Sequence, residues 1–125
     1  MTESEIIFVP AVIGHRGAAG HAPENTLASL QKAAELGARW VEFDTKLTSD
    51  GAVVLFHDDT LERTTDGHGE VAETALADLW ELDSGTWFDV GSQGGSQGAF
   101  AGQRVPTLVD AIAALARLGL GANVE

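Results

Sequence analysis

Six residues have the types and spacing for chemistry. Glu42 and Asp44 stand two apart in VEFDTKL, His15 and Arg16 are adjacent in GHRG, His57 closes the apolar run VVLFH, and Glu125 closes LGANVE. Side chains of a strand alternate between faces, so Glu42 and Asp44 share one side while Val41, Phe43 and Thr45 take the other. Two carboxylates about 7 Å apart along a strand repel each other unless a cation or water separates them. Carboxylate oxygens are hard donors suited to Mg²⁺ or Ca²⁺, and such a site needs further oxygens from elsewhere, for which Glu125 is the candidate. Arg16 offers a planar fork that suits phosphate oxygens, and His15 is a residue type that can carry a proton. With His57 as a second imidazole, the set suits hydrolysis of a phosphoester: a cation and Arg16 neutralise charge on phosphorus, and the imidazoles move protons.

Each feature alone has a plainer reading. A Glu-x-Asp pair suits the solvated face of an antiparallel sheet, a single histidine suits a surface or a core, HRG suits a turn, and Glu125 suits a frayed end. Their coincidence at strand ends in an α/β chain singles them out, because active sites of parallel barrels sit there.

The elements that must position these groups are legible in outline. Residues 9–14 read as a short buried strand running into a Gly-rich loop. A helix follows, with Asn25 or Thr26 as N-cap, Leu27, Leu30 and Ala34 at helical spacing, and Gly37 at C′. Residues 39–47 read as one strand, SDG at 49–51 as a turn, and 53–56 as another strand. Counting outward from Asp50 and Gly51 pairs 48 with 53, 46 with 55 and 44 with 57, which brings Asp44 to His57. Strand, helix, strand is the α/β order, with the helix as a crossover between parallel strands.

Beyond Thr60 the texture changes, and residues 63–104 read as an excursion from the scaffold, with an amphipathic helix over 74–82 using Leu76, Leu79 and Trp80, then a Gly-rich low-complexity stretch. Residues 1–62 and 105–125 then form the main scaffold. The second part opens with a capping box at Thr107 and Asp110, continues as a helix with Leu108, Ile112 and Leu115 on one face, passes Gly119 and enters a strand. The regular pattern stops inside that strand, so a fragment with open sheet edges is expected, covered by a missing half or by self-association. His21 and His68 are expected in solvent, Asn25 and Thr26 as helix caps, Asp58 and Asp59 as groups that orient His57 or begin a turn, and Trp40, Trp80 and Trp87 as packing residues.

Composition narrows the classes. The 125 residues carry 7 basic and 19 acidic side chains, a formal net charge of −12, which repels nucleic acid and anionic lipid at long range. An anionic substrate would therefore need a local reversal of the field, such as a bound divalent cation. Hydrophobic content of 44% fits a globular chain, and no segment reaches the roughly 20 apolar residues of a membrane span. The chain has no cysteine, so disulfides and thiolate metal sites are excluded. The lack of cysteine and of a leader pattern favours a cytoplasmic address.

Taken together, HRG at 15–17, PENT at 23–26, VEFDTKLTSDGAVVLFHDDTLERTTDG at 41–67 and VPTL at 105–108 resemble the glycerophosphodiester phosphodiesterase family over nearly the whole chain. The resemblance implies a TIM-barrel (β/α)8 fold, of which this chain holds the first four or so strands and a small insertion after the third. It implies metal-dependent hydrolysis of glycerophosphodiesters to glycerol 3-phosphate and an alcohol. By the same resemblance His15 and His57 are the acid/base pair, with His15 the proton acceptor and His57 the donor, Glu42, Asp44 and Glu125 hold Mg²⁺ or Ca²⁺, and Arg16 binds phosphate. Family members continue past the third acidic ligand into a lysine and four more strands, so the isolated chain is expected to be weakly active or inactive. Two alternatives stand beside this: a related barrel phosphodiesterase acting on lysophospholipid or phospholipid headgroups, and a non-catalytic, self-associating half-barrel.

Overall fold

The computed structural model describes residues 13–91 and 99–125. Two small sheets share one stretch of chain. The first is parallel, with strand β1 (Gly14–His15), strand β2 (Trp40–Phe43) and strand β5 (Gly121–Val124) in the order β1-β2-β5. The second is an antiparallel hairpin of β3 (Thr45–Leu47) and β4 (Val53–Leu55).

Helix α1 (Leu27–Glu35) links β1 to its parallel neighbour β2, as the strand–helix–strand order predicts. Thr26 is its N-cap, its Oγ1 accepting from Ser29 N at 3.2 Å, and Gly37 leaves the helix at φ 90°, a left-handed conformation that glycine adopts without strain. Helix α4 (Leu108–Leu118) is capped in the same way: Thr107 Oγ1 accepts from Asp110 N at 3.1 Å. The buried stripes of α1 and α4 enclose the main core with Val41, Phe43 and Leu55. Phe43, fully buried, contributes on the order of 2–3 kcal/mol by leaving water.

Four sequence expectations need correction. The run 39–47 is not one strand: it breaks at Asp44, where the chain leaves the parallel sheet for the hairpin. The hairpin register is one residue tighter than counted, pairing Thr45 with Leu55, Lys46 with Val54 and Leu47 with Val53. The loop is three residues, closed by Thr48 N donating to Ala52 O at 2.9 Å with Gly51 at φ 82°, the turn-plus-bulge solution for a loop of that length. Asp44 therefore lies across from Phe56, whose N–H donates to Asp44 O at 3.0 Å, and not across from His57. On α4, Ile112 is 55% exposed, and Ala111, Ala114 and Leu115 form the buried face. The strand expected at 9–14 is described only from Gly14, because residues 1–12 lie outside the described part.

The described parts of the segment 63–104 pack against a second core. A 3-10 turn (Val71–Glu73) and short helices α2 (Leu76–Trp80) and α3 (Thr86–Gly91) lie along it. Val54, Phe56, Leu61, Val71, Leu79 and Val105 are the buried members of this second cluster. The helix expected over 74–82 is thus shorter, with Leu79 buried and Trp80 44% exposed. Asp83 staples the far end, accepting from Gly85 N, Thr86 N and Gly102 N at 2.7–2.8 Å. The Gly-rich stretch expected there falls partly outside the described residues.

Gly119 ends α4 at φ 69° with nothing near its missing Cβ. Gly119→Ala therefore tests backbone strain alone: a loss of about 1–2 kcal/mol is expected. Urea unfolding checks it through a lower midpoint at unchanged slope.

Candidate metal and phosphate site

Parallel pairing brings the predicted residues together. The ladder sets His15 opposite Glu42 and runs Glu42–Asn123 and Phe43–Val124. It continues past the strand ends, with Glu125 N donating to Phe43 O at 3.0 Å and Thr45 N to Glu125 O at 2.7 Å. Glu125 is thereby drawn level with Asp44. Glu42, Asp44 and Glu125 each place a carboxylate oxygen within 4.8 Å of the others. At an effective dielectric of about 20, each such pair repels by on the order of 3 kcal/mol before solvent screening.

Cationic and polar groups surround the acids. His15 Nε2 is 3.4 Å from Glu42 Oε1. Arg16 Nε lies 3.3 Å from Asp44 Oδ2, yet it makes no hydrogen bond although it is buried. The distance is that of an ion pair and the angle misses a hydrogen bond, so the attraction is Coulombic. Asn25 Nδ2 donates to the same Oδ2 at 3.1 Å, and Asn25 Oδ1 accepts from Asp44 N at 3.3 Å. Asn25 thus serves Asp44, and Thr26 alone caps the helix.

The loop that carries Arg16 is held under strain. Arg16 at φ 51° and Asn25 at φ 56° are the two non-glycine residues with positive φ among those described. Asn tolerates that region, but Arg seldom enters it, at a cost on the order of 1–2 kcal/mol. Arg16 O is held by Asn25 N at 3.0 Å and Ser29 Oγ at 2.9 Å. Gly17 follows at φ 83°, and a Cβ there would collide with Ser29 Oγ.

His57 stands in a second loop, where Asp58 Oδ1 is 2.7 Å from its Nδ1. Arg63 grips Asp58 through Nε at 2.8 Å and Nη2 at 3.0 Å, and Glu24 through Nη1 at 2.9 Å and Nη2 at 2.8 Å. Glu24, buried at 9% exposure, also accepts from Arg16 Nη1 at 3.2 Å. A continuous polar chain therefore runs His57–Asp58–Arg63–Glu24–Arg16–Asp44. The Arg63 guanidinium, and then the His57 ring, hold the Asp58 carboxyl well below the usual carboxylate range, and Arg63 is pushed up in return.

Arg63 and Glu24 were not singled out by sequence reasoning. Glu24 in PENT reads as helix-start architecture and Arg63 lies in polar turn sequence, so neither residue type nor spacing marks the pair. His21 and His68 are exposed, as expected, and Asp59 pairs with Lys46 at 3.8 Å instead of meeting His57. Trp87 packs edge-on against Phe88 at 5.8 Å, while Trp40 is 37% exposed.

An acid cluster, His15 and an arginine fork lie at the carboxyl ends of parallel strands on strand–helix–strand scaffolding, with His57 beyond the antiparallel hairpin, the arrangement of an α/β protein of barrel type. The profile of the glycerophosphoryl diester phosphodiesterase family matches residues 15–125, and the chain belongs to that family. It is 39% identical to a glycerophosphodiester phosphodiesterase of Bacillus subtilis over 89% of this chain and 37% of that protein. It is 40% identical to one from Caldanaerobacter subterraneus subsp. tengcongensis over 91% of this chain and 44% of that protein. Among solved structures, an Oleispira antarctica phosphodiesterase in complex with the product sn-glycerol-3-phosphate superposes with a TM-score of 0.84 at 46% identity, covering 93% of this chain and 44% of that one. The glycerophosphodiester phosphodiesterase of Agrobacterium tumefaciens str. C58 gives 0.81 at 34% identity, over 93% and 46%. The chain thus spans less than half the length of these relatives and forms part of a TIM barrel. Among the described residues no helix is long and apolar enough to cross a membrane.

Two outcomes follow from this geometry. Gly17→Ala is expected to destabilise by about 2 kcal/mol or more, from positive φ and collision together, whereas Gly20→Ala, in open space, leaves the urea midpoint near wild type. Asp58 contributes stability that is present above its unfolded pKa of about 3.9 and is lost as pH falls through its lowered folded value. Asp58→Asn therefore flattens the decline in stability below about pH 4, as acid-unfolding curves of the two proteins would record.

Proposed function

We propose that this chain carries the metal, phosphate and proton-transfer groups of a phosphodiesterase that hydrolyses glycerophosphodiesters to glycerol 3-phosphate and an alcohol. The observation that carries the reading is the convergence of Glu42, Asp44 and Glu125 within 4.8 Å beside His15 and Arg16. The product complex of the Oleispira antarctica relative supports a small phosphorylated glycerol as the ligand class.

The donor set fits a hard divalent cation. Three carboxylates supply oxygens only, as Mg²⁺ or Ca²⁺ requires, and their mutual repulsion is what a cation relieves. Glu42, Asp44 and Glu125 would hold the ion. Bound there, it would neutralise charge on the phosphoryl oxygens and lower the cost of an anion in a chain of net charge −12.

The remaining roles belong to the chain's own side chains. Arg16, its Nε and Nη1 turned to Asp44 and Glu24, keeps Nη2 for a phosphate oxygen. His15 takes a proton from the attacking water as its oxygen bonds to phosphorus, and His57 gives one from Nε2 to the departing alkoxide as its P–O bond breaks, so the proton lost at one imidazole is matched by that gained at the other. Asn25 holds Asp44 in place. Residues 63–104 are an insertion, whose described parts rest on the β3–β4 hairpin. Lipid metabolism and a cytoplasmic address accompany this reading, and headgroups of lysophospholipids or phospholipids are the alternative substrates.

A second reading is favoured by one observation. In the sheet order β1-β2-β5 each outer strand has a partner on one side only among the described residues, and Val109, Ile112 and Val124 are at least half exposed. Such edges and faces suit cover by further barrel elements or by a second copy of the chain.

The test is a diester assay with glycerophosphocholine and added Mg²⁺ or Ca²⁺, with mass determined by light scattering. Weak or no turnover is expected from the 125-residue chain alone, together with calorimetric binding of the cation that falls about tenfold or more in Glu42→Gln and Asp44→Asn. His57→Ala should leave that binding intact. Cation binding unaffected by both acid substitutions would defeat the proposal, and a monomer showing full turnover would remove the need for a covering half.

A further inference from the structure

We propose that Arg63 is a positioning residue of this site: it presses Asp58 onto Nδ1 of His57 and, through Glu24, holds Arg16 beside Asp44, so that one guanidinium ties the proton-donating histidine to the phosphate-binding arginine. The inference rests on the reading of the site given above and adds to it a residue and a coupling.

Arg63 spends every face of its fork on two carboxylates. Nε and Nη2 meet the two oxygens of Asp58 at 2.8 and 3.0 Å, while Nη1 and Nη2 meet the two oxygens of Glu24 at 2.9 and 2.8 Å. Only a planar, five-donor guanidinium can bind two carboxylates side-on at once; an ammonium is a single point of charge. The three residues come from separate segments: Glu24 from the loop between β1 and α1, Asp58 and Arg63 from the stretch after β4. The clamp therefore sets the spacing of the two loops that carry Arg16 and His57.

Its effect on His57 follows from donor and acceptor counting. An ionised carboxylate can only accept, so the 2.7 Å contact between Asp58 Oδ1 and His57 Nδ1 requires the proton on Nδ1. That leaves Nε2 as the atom that exchanges a proton with substrate. Arg63 holds the Asp58 carboxylate in line with Nδ1, and so fixes both the tautomer and the direction of the ring. At the other end Glu24 is buried and shared, accepting from Arg16 Nη1 at 3.2 Å as well as from Arg63. Withdrawing Arg63 leaves Arg16 as the remaining partner of Glu24 and frees the Glu24 loop from the His57 loop. A staple between loops would need only the Arg63–Glu24 pair; the second grip, on the carboxylate that also meets His57, is the part that structure alone does not require.

The tautomer can be read without turnover. In ¹⁵N-labelled protein above about pH 8.5, where imidazoles of ordinary pKa are neutral, long-range ¹⁵N–¹H correlations should show His57 mainly protonated on Nδ1. Asp58→Asn defines the released state. In Arg63→Met the Nδ1–H share should fall by about half or more toward that state, while circular dichroism and Mg²⁺ or Ca²⁺ calorimetry stay near wild type. Should Arg63→Met not fold, Arg63→Lys replaces it and is expected to lose the same preference to a smaller degree. A folded variant with His57 unchanged from wild type overturns the inference. The two readings fail separately: a tautomer shift in a protein that binds no cation rejects the proposed function alone, and cation binding with an unmoved tautomer rejects the role of Arg63 alone.

Discussion

Three like charges held within 4.8 Å of one another are the constraint around which the structure is arranged. No side chain chooses that arrangement on its own; the parallel ladder of β1, β2 and β5 imposes it by backbone register. Main-chain hydrogen bonds are short-ranged and directional, whereas carboxylate repulsion is softer and partly screened. The ladder can therefore hold acids where Coulomb energy alone would not, and the surrounding Arg16, Asn25 and His15 offset part of the cost. A divalent cation would offset more.

The break at Asp44 does two jobs. It ends the parallel strand so that Asp44 faces Asn25 and Arg16, and it turns the chain into the β3–β4 hairpin, whose far side rests on the second hydrophobic cluster. His57 follows that hairpin, so its position depends on the second core as much as on the first. The electrostatic chain from His57 through Asp58, Arg63, Glu24 and Arg16 to Asp44 crosses between the two bodies of structure. Most of its members are partly exposed, so its worth in stability is modest; its geometric consequence is larger, because bidentate contacts fix direction as well as distance.

Backbone strain is concentrated in the same place. Arg16 and Asn25, both at positive φ, flank the loop that closes over Ser29, and Gly17 admits the close approach. Strained residues persist where the surroundings over-determine them, and here Arg16 O has two donors and its side chain two acidic neighbours. The chain belongs to the glycerophosphoryl diester phosphodiesterase family and spans less than half the length of the relatives it matches.

Composition and local pattern were sufficient for the elements and for the candidate groups. Helical spacing with Thr26, Thr107 and Gly119 at the ends marked both long helices, because capping is a short-range hydrogen-bonding event between neighbours in sequence. The alternation around Glu42 and Asp44 put both acids on one face, because strand periodicity is a property of the single chain. The hairpin register and the exposure of Ile112 were misjudged, since a one-residue bulge and the choice of packing partner are settled by contacts between segments. Glu125 is a ligand candidate in the sequence, but its approach to Asp44, the use of Asn25 as a brace for Asp44 and the Glu24–Arg63–Asp58 clamp were decided by the tertiary structure. They join residues 19 to more than 80 positions apart or bind side chains whose types are ordinary in loops, and only the closed chain brings such groups within hydrogen-bonding distance.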